Sequence, residues 1–209
     1  MSDLVFHTNP ASRGRIVRWM LEEIGHPYDT RVVPYGEAMK SADFLALNPM
    51  GKVPVVVHNG HVVTECAAIC AYLADAFPDA GLAPRADDRA AYYRWLFFAA
   101  GPLEMAVINA SFGFHLSDDP MASRRSGYGR DLEGVADALA TMLADGRDYV
   151  TGARFSAADV YVGSHIQWGL EFGTMPERPG FADYAARLVA RPAASAARAK
   201  DDALIAQQP

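Results

Sequence analysis

The spacing of apolar and polar residues changes once along this 209-residue chain, near residue 80. Before that point, short apolar runs alternate with one amphipathic stretch after another. Residues 4–6 (Leu-Val-Phe) are a strand candidate, closed by the turn signal His7-Thr8-Asn9-Pro10. From Ala11 onward Ile16, Val17, Met20, Leu21 and Ile24 recur on one helical face. Gly25 can cap that helix, and Pro27 follows where a helix cannot continue. Residues 28–33 alternate as a second strand, and 39–47 read as a short helix ended by Asn48-Pro49. Residues 53–58 and 61–64 are two strands joined by Asn59-Gly60, a strong hairpin signal. Residues 67–77 form a helix stopped by Pro78 and Gly81.

This order, βαβ then ββα with a helix between, predicts an α/β domain of thioredoxin-like type over residues 1–78. Residues 79–86, rich in Pro, Gly and Asp, read as a linker. Beyond it no alternating pattern of any length appears. Helical spacing recurs over 89–112, 119–144, 157–172, 181–190 and 193–206, which predicts an all-helical domain over 87–209. The stretch 157–172 is apolar nearly all round, so it is expected to be buried. The alanine-rich tail suits a terminal helix with a frayed end.

Composition changes this picture little. The chain is 51% hydrophobic and 21% charged, enough apolar material for real cores. Its net charge of -6 and the lack of a basic stripe argue against nucleic acid. Arg124, Arg125 and Arg130 sit among Asp118, Asp119 and Asp131, as on a solvated mixed-charge face. No run reaches the length of a membrane helix, the best being residues 95–100, so no membrane partner is expected. The N-terminus has no apolar signal segment. With two cysteines, Cys66 and Cys70, and no metal-ligand spacing, a reducing cytoplasmic setting without a metal is expected.

Three stretches carry candidate chemistry. Pro54 cannot donate to a sheet ladder, so Val53-Pro54 marks an edge or a bend. A cis bond there would turn the backbone of Val53 toward a ligand, whereas a trans proline would merely open the strand. Thr64-Glu65-Cys66 leads into a helix whose N-terminus favours a carboxylate, with Glu65 placed for an ammonium group. The alternative is that Thr64 or Glu65 simply caps its own helix. Ser156 and Asp159 have the spacing of a capping box and are read as structural.

Taken together, four segments resemble the cytosolic glutathione transferase family. They are PASRGRIVRWMLEEIGHPY, NPMGKVPVVV, VVTECAAICAYLAD and FSAADVYVG, and they occur in that family's order. The resemblance implies a transferase of bacterial type that attacks small, hydrophobic electrophiles with glutathione thiolate. It also implies a homodimer, glutathione as co-substrate and no metal. A glutathione-dependent isomerase, a peroxidase or disulfide reductase, and a non-catalytic binding protein remain alternatives. Glutathione would be held by Lys52, Val53, Pro54, Glu65 and Cys66. The family places its thiol-activating group in the turn that here holds Thr8, Asn9 and Ser12, with no Tyr or Cys. Ser12 is the first choice, its other reading being a helix N-cap; Thr8 and Asn9 stay open. Cys66 replaces the family's usual serine, and a thiol is a weaker donor than a hydroxyl. Trp95, Phe112 and Trp168 are candidates for the second-substrate pocket, although an aromatic stripe also suits a core.

Overall fold

The structure, a computed structural model, describes residues 3–114, 121 and 132–207. Contacts divide the chain into two units, Met1–Ala83 with Val189–Pro209, and Pro84–Leu188. The last helix therefore groups with the first unit, where the sequence pattern had assigned it to the helical domain.

The first unit is built on a four-stranded mixed sheet in the order β2-β1-β3-β4. Strand β1 (Leu4–Thr8) pairs in parallel with β2 (Asp29–Val32) and antiparallel with β3 (Val55–His58). Strand β4 (His61–Thr64) folds back on β3. Asn59 and Gly60 both have positive φ, 50° and 81°, the backbone a two-residue hairpin demands. Helix α1 (Gly14–Ile24) ends at Gly25, which takes the left-handed conformation its missing Cβ permits. The single helix expected over 39–47 is two pieces. A 3-10 turn, Glu37–Lys40, precedes α2 (Ala42–Leu47), because Ser41 is extended and its hydroxyl accepts the N–H of Phe44 as an N-cap. Helix α3 spans Cys66–Ala76. Leu4, Phe6, Ile16, Val17, Met20, Leu21, Val56, Ile69 and Leu73 are buried and form the core between sheet and helices.

In the second unit, α4 (Ala90–Phe98) and α5 (Glu104–Phe112) are joined by a wide π-type turn, Ala99–Leu103, containing Pro102. Pro102 has no N–H to continue the α-helical ladder, a common cause of such a bulge. By length and composition the combined run Ala90–Phe112, of mean hydropathy 1.3, could cross a membrane. Tyr92, Trp95, Leu96, Ala99, Leu103 and Ala106 on it are buried in the unit's core, while Tyr93, Phe97 and Phe112 are exposed. Helix α6 (Leu132–Leu143) buries Val135, Ala136, Leu139 and Met142. Of the segment expected to begin it at 119, residues 119, 120 and 122–131, with the basic cluster at 124–130, lie outside the described residues. Helix α7 (Ala157–Phe172) is buried from Ala157 through Ile166, and α8 (Phe181–Val189) covers it with Phe181, Tyr184 and Leu188. Gly163 permits the close approach there: a Cβ would lie 2.1 Å from a Leu188 methyl, which would have to move. Helix α9 (Pro192–Ala206) closes the chain as part of the first unit.

Candidate functional site

The sheet registers decide which residues meet. His7 lies opposite Val55 on β3, and Val55 lies opposite Thr64 on β4. Thr8 lies beside Val32 on the parallel strand β2. Four connecting stretches therefore gather at one end of the sheet: the turn after β1, the loop after β2, the approach to β3 and the exit from β4. In open α/β sheets this end of the strands is where ligands collect. The approach to β3 carries Lys52-Val53-Pro54 and the exit from β4 carries Glu65-Cys66, so the sequence-predicted binding residues come together with the turn Thr8–Ser12.

At the β3 approach the Val53-Pro54 peptide bond is cis. Pro54 is buried, Val53 is half-buried and Lys52 is exposed. The strand proper starts only at Val55. Among the described residues, neither the N–H nor the C=O of Val53 pairs with another backbone group. The preceding turn is fixed by Asn48, which donates to the Lys52 carbonyl (2.8 Å) and accepts from the Met50 N–H (3.1 Å). Lys40, which the sequence reading passed over, reaches this turn with Nζ 3.3 Å from the Met50 carbonyl.

At the β4 exit Glu65 is exposed and sits at φ 64°, ψ 121°. That conformation is unfavourable for any residue with a Cβ, by about 1–3 kcal/mol, and such outliers cluster at functional sites. Glu65 is the N-cap residue of α3 but makes no side-chain cap bond. Its carboxylate makes no hydrogen bond or ion pair with the described residues, and the first N–H groups of its helix have no partner within the helix. Cys66 is buried, and its thiol donates to the Arg13 carbonyl at 3.6 Å, tying this corner to the start of α1. Cys70, one turn on, is fully buried, and burial pushes its thiol well above the ordinary value.

The turn after β1 is held by its own side chains. Asn9 donates to the Val33 carbonyl (3.1 Å) and accepts from the Ala11 N–H (3.0 Å), so both ends of its amide are used within the fold. Thr8 is fully buried, with Oγ1 directed at the Asn9 carbonyl. A Cβ on Gly14 would lie 2.0 Å from that hydroxyl, so glycine is required where α1 passes over it. Ser12 is half-buried; it donates to the Asn9 carbonyl at 2.6 Å and accepts from the Gly14 N–H at 2.9 Å. Of the three candidate groups, only Ser12 combines a hydroxyl with exposure. Tyr35, which sequence reasoning missed, reaches the same turn from the loop after β2 and donates to the Ala11 carbonyl at 3.0 Å. Its setting between Pro34 and Gly36 was the available signal.

The remaining predicted residues lie in the second unit. Trp95 is enclosed in the core, edge-on to Phe98 at 5.1 Å. Trp168 is half-buried and Phe112 is 72% exposed. Asp159 is wholly buried and accepts four bonds. Val150 N–H (2.7 Å) and Tyr184 OH (2.8 Å) meet Oδ1; Ser156 N–H and Ser156 OH (both 2.9 Å) meet Oδ2. Burial outweighs these bonds and pushes its carboxyl up to about 6.

Residues 12–76 match the N-terminal domain family of glutathione S-transferases. The chain is 31% identical over 155 residues to glutathione S-transferase 1 of Schizosaccharomyces pombe, an alignment covering 71% of this chain and 66% of that one. It is 30% identical over 151 residues to glutathione S-transferase GST-4.5 of Xanthomonas campestris pv. campestris, covering 70% of this chain and 73% of that one. A sphingomonad glutathione S-transferase solved in complex with glutathione shares the fold at TM-score 0.74 and 28% identity, over 95% of this chain and 98% of that chain. Kinship this extensive, on a backbone with the same mixed sheet and helices, means that the chain belongs to the glutathione S-transferase family.

Proposed function

We propose that this protein conjugates glutathione, as its thiolate, to small hydrophobic electrophiles. The γ-glutamyl carboxylate would sit at the start of α3 beside the Cys66 N–H, and the α-ammonium against the Glu65 carboxylate. The unpaired N–H and C=O of Val53, next to Pro54, would read the cysteinyl backbone as a short added strand. Lys52 would meet the glycine carboxylate, with Lys40 reaching the same turn at the Met50 carbonyl. The sulfur would then lie at the turn Thr8–Ser12. Thr8 and Asn9 serve that turn's structure, which leaves the half-buried Ser12 as its accessible hydroxyl. The thiolate is the nucleophile, so a group that lowers the thiol pKa raises the reactive fraction at neutral pH.

The observation that carries this reading is Glu65, held in a costly backbone conformation with its carboxylate making no bond to the helix whose N-cap position it occupies. Strain of this kind, without a capping bond to offset it, is found chiefly at functional sites. The glutathione found in the sphingomonad relative supports the choice of ligand. Cys66 and Cys70 are free thiols, which suits a reducing cytoplasm. We assign the site to residues 1–78 and a second-substrate surface, including Phe112 and Trp168, to the helical part. Tyr93, Phe97 and Phe112 leave apolar surface exposed on the run Ala90–Phe112, which supports a homodimer.

A conjugation assay with glutathione and an activated aryl chloride tests the activity. The rate should saturate in glutathione and fall at least tenfold in Glu65→Ala. Glutathione binding without conjugation, and without a lowered thiol pKa, would instead favour the non-catalytic alternative. Turnover of hydroperoxides or disulfides alone would favour the redox alternatives.

A further inference from the structure

The turn that receives the sulfur uses up its own donors, and the hydroxyl with most freedom there comes from another loop. Asn9 spends its amide on Val33 and Ala11, and Thr8 is sealed in the core. Ser12 gives its proton to the Asn9 carbonyl at 2.6 Å while its oxygen accepts from Gly14 at the start of α1. Tyr35 stands differently. Its hydroxyl makes one bond, 3.0 Å to the Ala11 carbonyl, and the residue is 59% exposed.

Its position is nevertheless fixed. Val33, two residues earlier, is bonded through its N–H to the Thr8 carbonyl (2.8 Å) and through its carbonyl to Asn9. Pro34 restricts the backbone before Tyr35, and Gly36 follows at φ 93°, ψ -130°, a conformation suited to glycine. Loop and turn are thus stapled together by two bonds at Val33, two residues before the phenol. A tyrosine left largely in solvent gains little from packing, but a phenol held over this turn can exchange one acceptor for another. The Ala11 carbonyl is a neutral acceptor. A thiolate arriving at the turn is a charged one, and hydrogen bonds to charged partners are about twice as strong.

We propose that the Tyr35 hydroxyl donates a hydrogen bond to the sulfur of bound glutathione and stabilises its thiolate. This rests on the glutathione reading given above. Tyr35 keeps its proton throughout, and the thiol proton leaves to solvent. Ser12 then retains its part in holding the turn and the start of α1.

The test compares the wild-type protein with Tyr35→Phe. Glutathione affinity is read by calorimetry, and the pKa of the bound thiol by the ultraviolet absorbance of the thiolate across a pH series. Tyr35→Phe removes only an exposed hydroxyl, so its melting temperature should match wild type. It should bind glutathione nearly as well as wild type. Its bound thiol should titrate about one unit higher, which lowers the thiolate fraction about tenfold below that pKa. The pH profile of kcat should shift in parallel, with KM for glutathione little changed. An unaltered thiol pKa in Tyr35→Phe would overturn the inference, as would weaker binding with the thiol pKa unchanged, the mark of a purely structural role. Failure of the wild-type protein to bind glutathione at all would instead remove the functional reading beneath it.

Discussion

Asp159 and Glu65 show opposite uses of a carboxylate. Asp159 collects four donors from Val150, Ser156 and Tyr184 in a site with no exposure. Removing it in Asp159→Ala leaves those buried donors without an acceptor, and the expected loss is about 3–5 kcal/mol by chemical denaturation. Its pH dependence has a definite sign. The folded protein holds the Asp159 proton up to about pH 6, and the unfolded chain releases it near 4. Stability should therefore fall as pH rises through that window, by up to about 3 kcal/mol, and level off above it. Asp159→Asn cannot titrate, so the wild-type stability minus that of Asp159→Asn should decline from pH 4 to 6; a difference that grows would contradict this. Glu65 carries backbone strain in place of such bonds. Glu65→Gly should relax the strain and melt no lower than wild type, yet lose at least tenfold in glutathione affinity. Loss of stability with affinity intact would show that Glu65 is structural.

At the scale of elements, α9 groups with the first unit, and charges on it and on its N-cap residue Arg191 match charges on α1. Arg15 pairs with Asp202, Arg18 with Asp201, Glu22 with Lys200, and Glu23 with Arg191. The Arg18–Asp201 pair, at 2.7 Å, is almost entirely buried, and Arg18 also donates to Tyr28 and Thr30. Asp201→Ala would strand a buried guanidinium, at an expected loss of about 3–5 kcal/mol. Arg18→Met combined with Asp201→Leu should be closer to wild type than either single change, and a denaturation cycle over the four proteins measures the coupling. None of this was legible in the sequence. The tail reads as alanine with scattered charge, and only the fold brings residues near 200 against 15–23. The exposed face of Ala90–Phe112 was equally hidden, since apolar content does not say which side the core takes. If that face joins two copies, Phe97→Glu should yield a monomer in sedimentation with its helix content intact. A dimer that survives would place the interface elsewhere.

For the molecule as a whole, the sheet and its helices were readable because each boundary has a local cause: Gly25, Asn59-Gly60, Pro54 and Pro78 end or bend elements without help from distant residues. The grouping of Lys52, Val53, Glu65 and Cys66 followed once their strands were known to be neighbours. The roles within the turn after β1 did not follow. Whether Thr8, Asn9 or Ser12 faces a ligand depends on which of them the loop at Val33 and the start of α1 consume, and those are contacts across the chain. Tyr35 entered for the same reason. The central claim is that glutathione is held across one end of the sheet, between the start of α3, Val53 and the turn after β1. Backbone amide resonances followed during a glutathione titration test it most directly. The account predicts saturable shifts concentrated at Val53, Glu65, Cys66, Ala67 and the turn 9–13. No saturable shift at millimolar glutathione, or shifts confined to other parts of the chain, would contradict it.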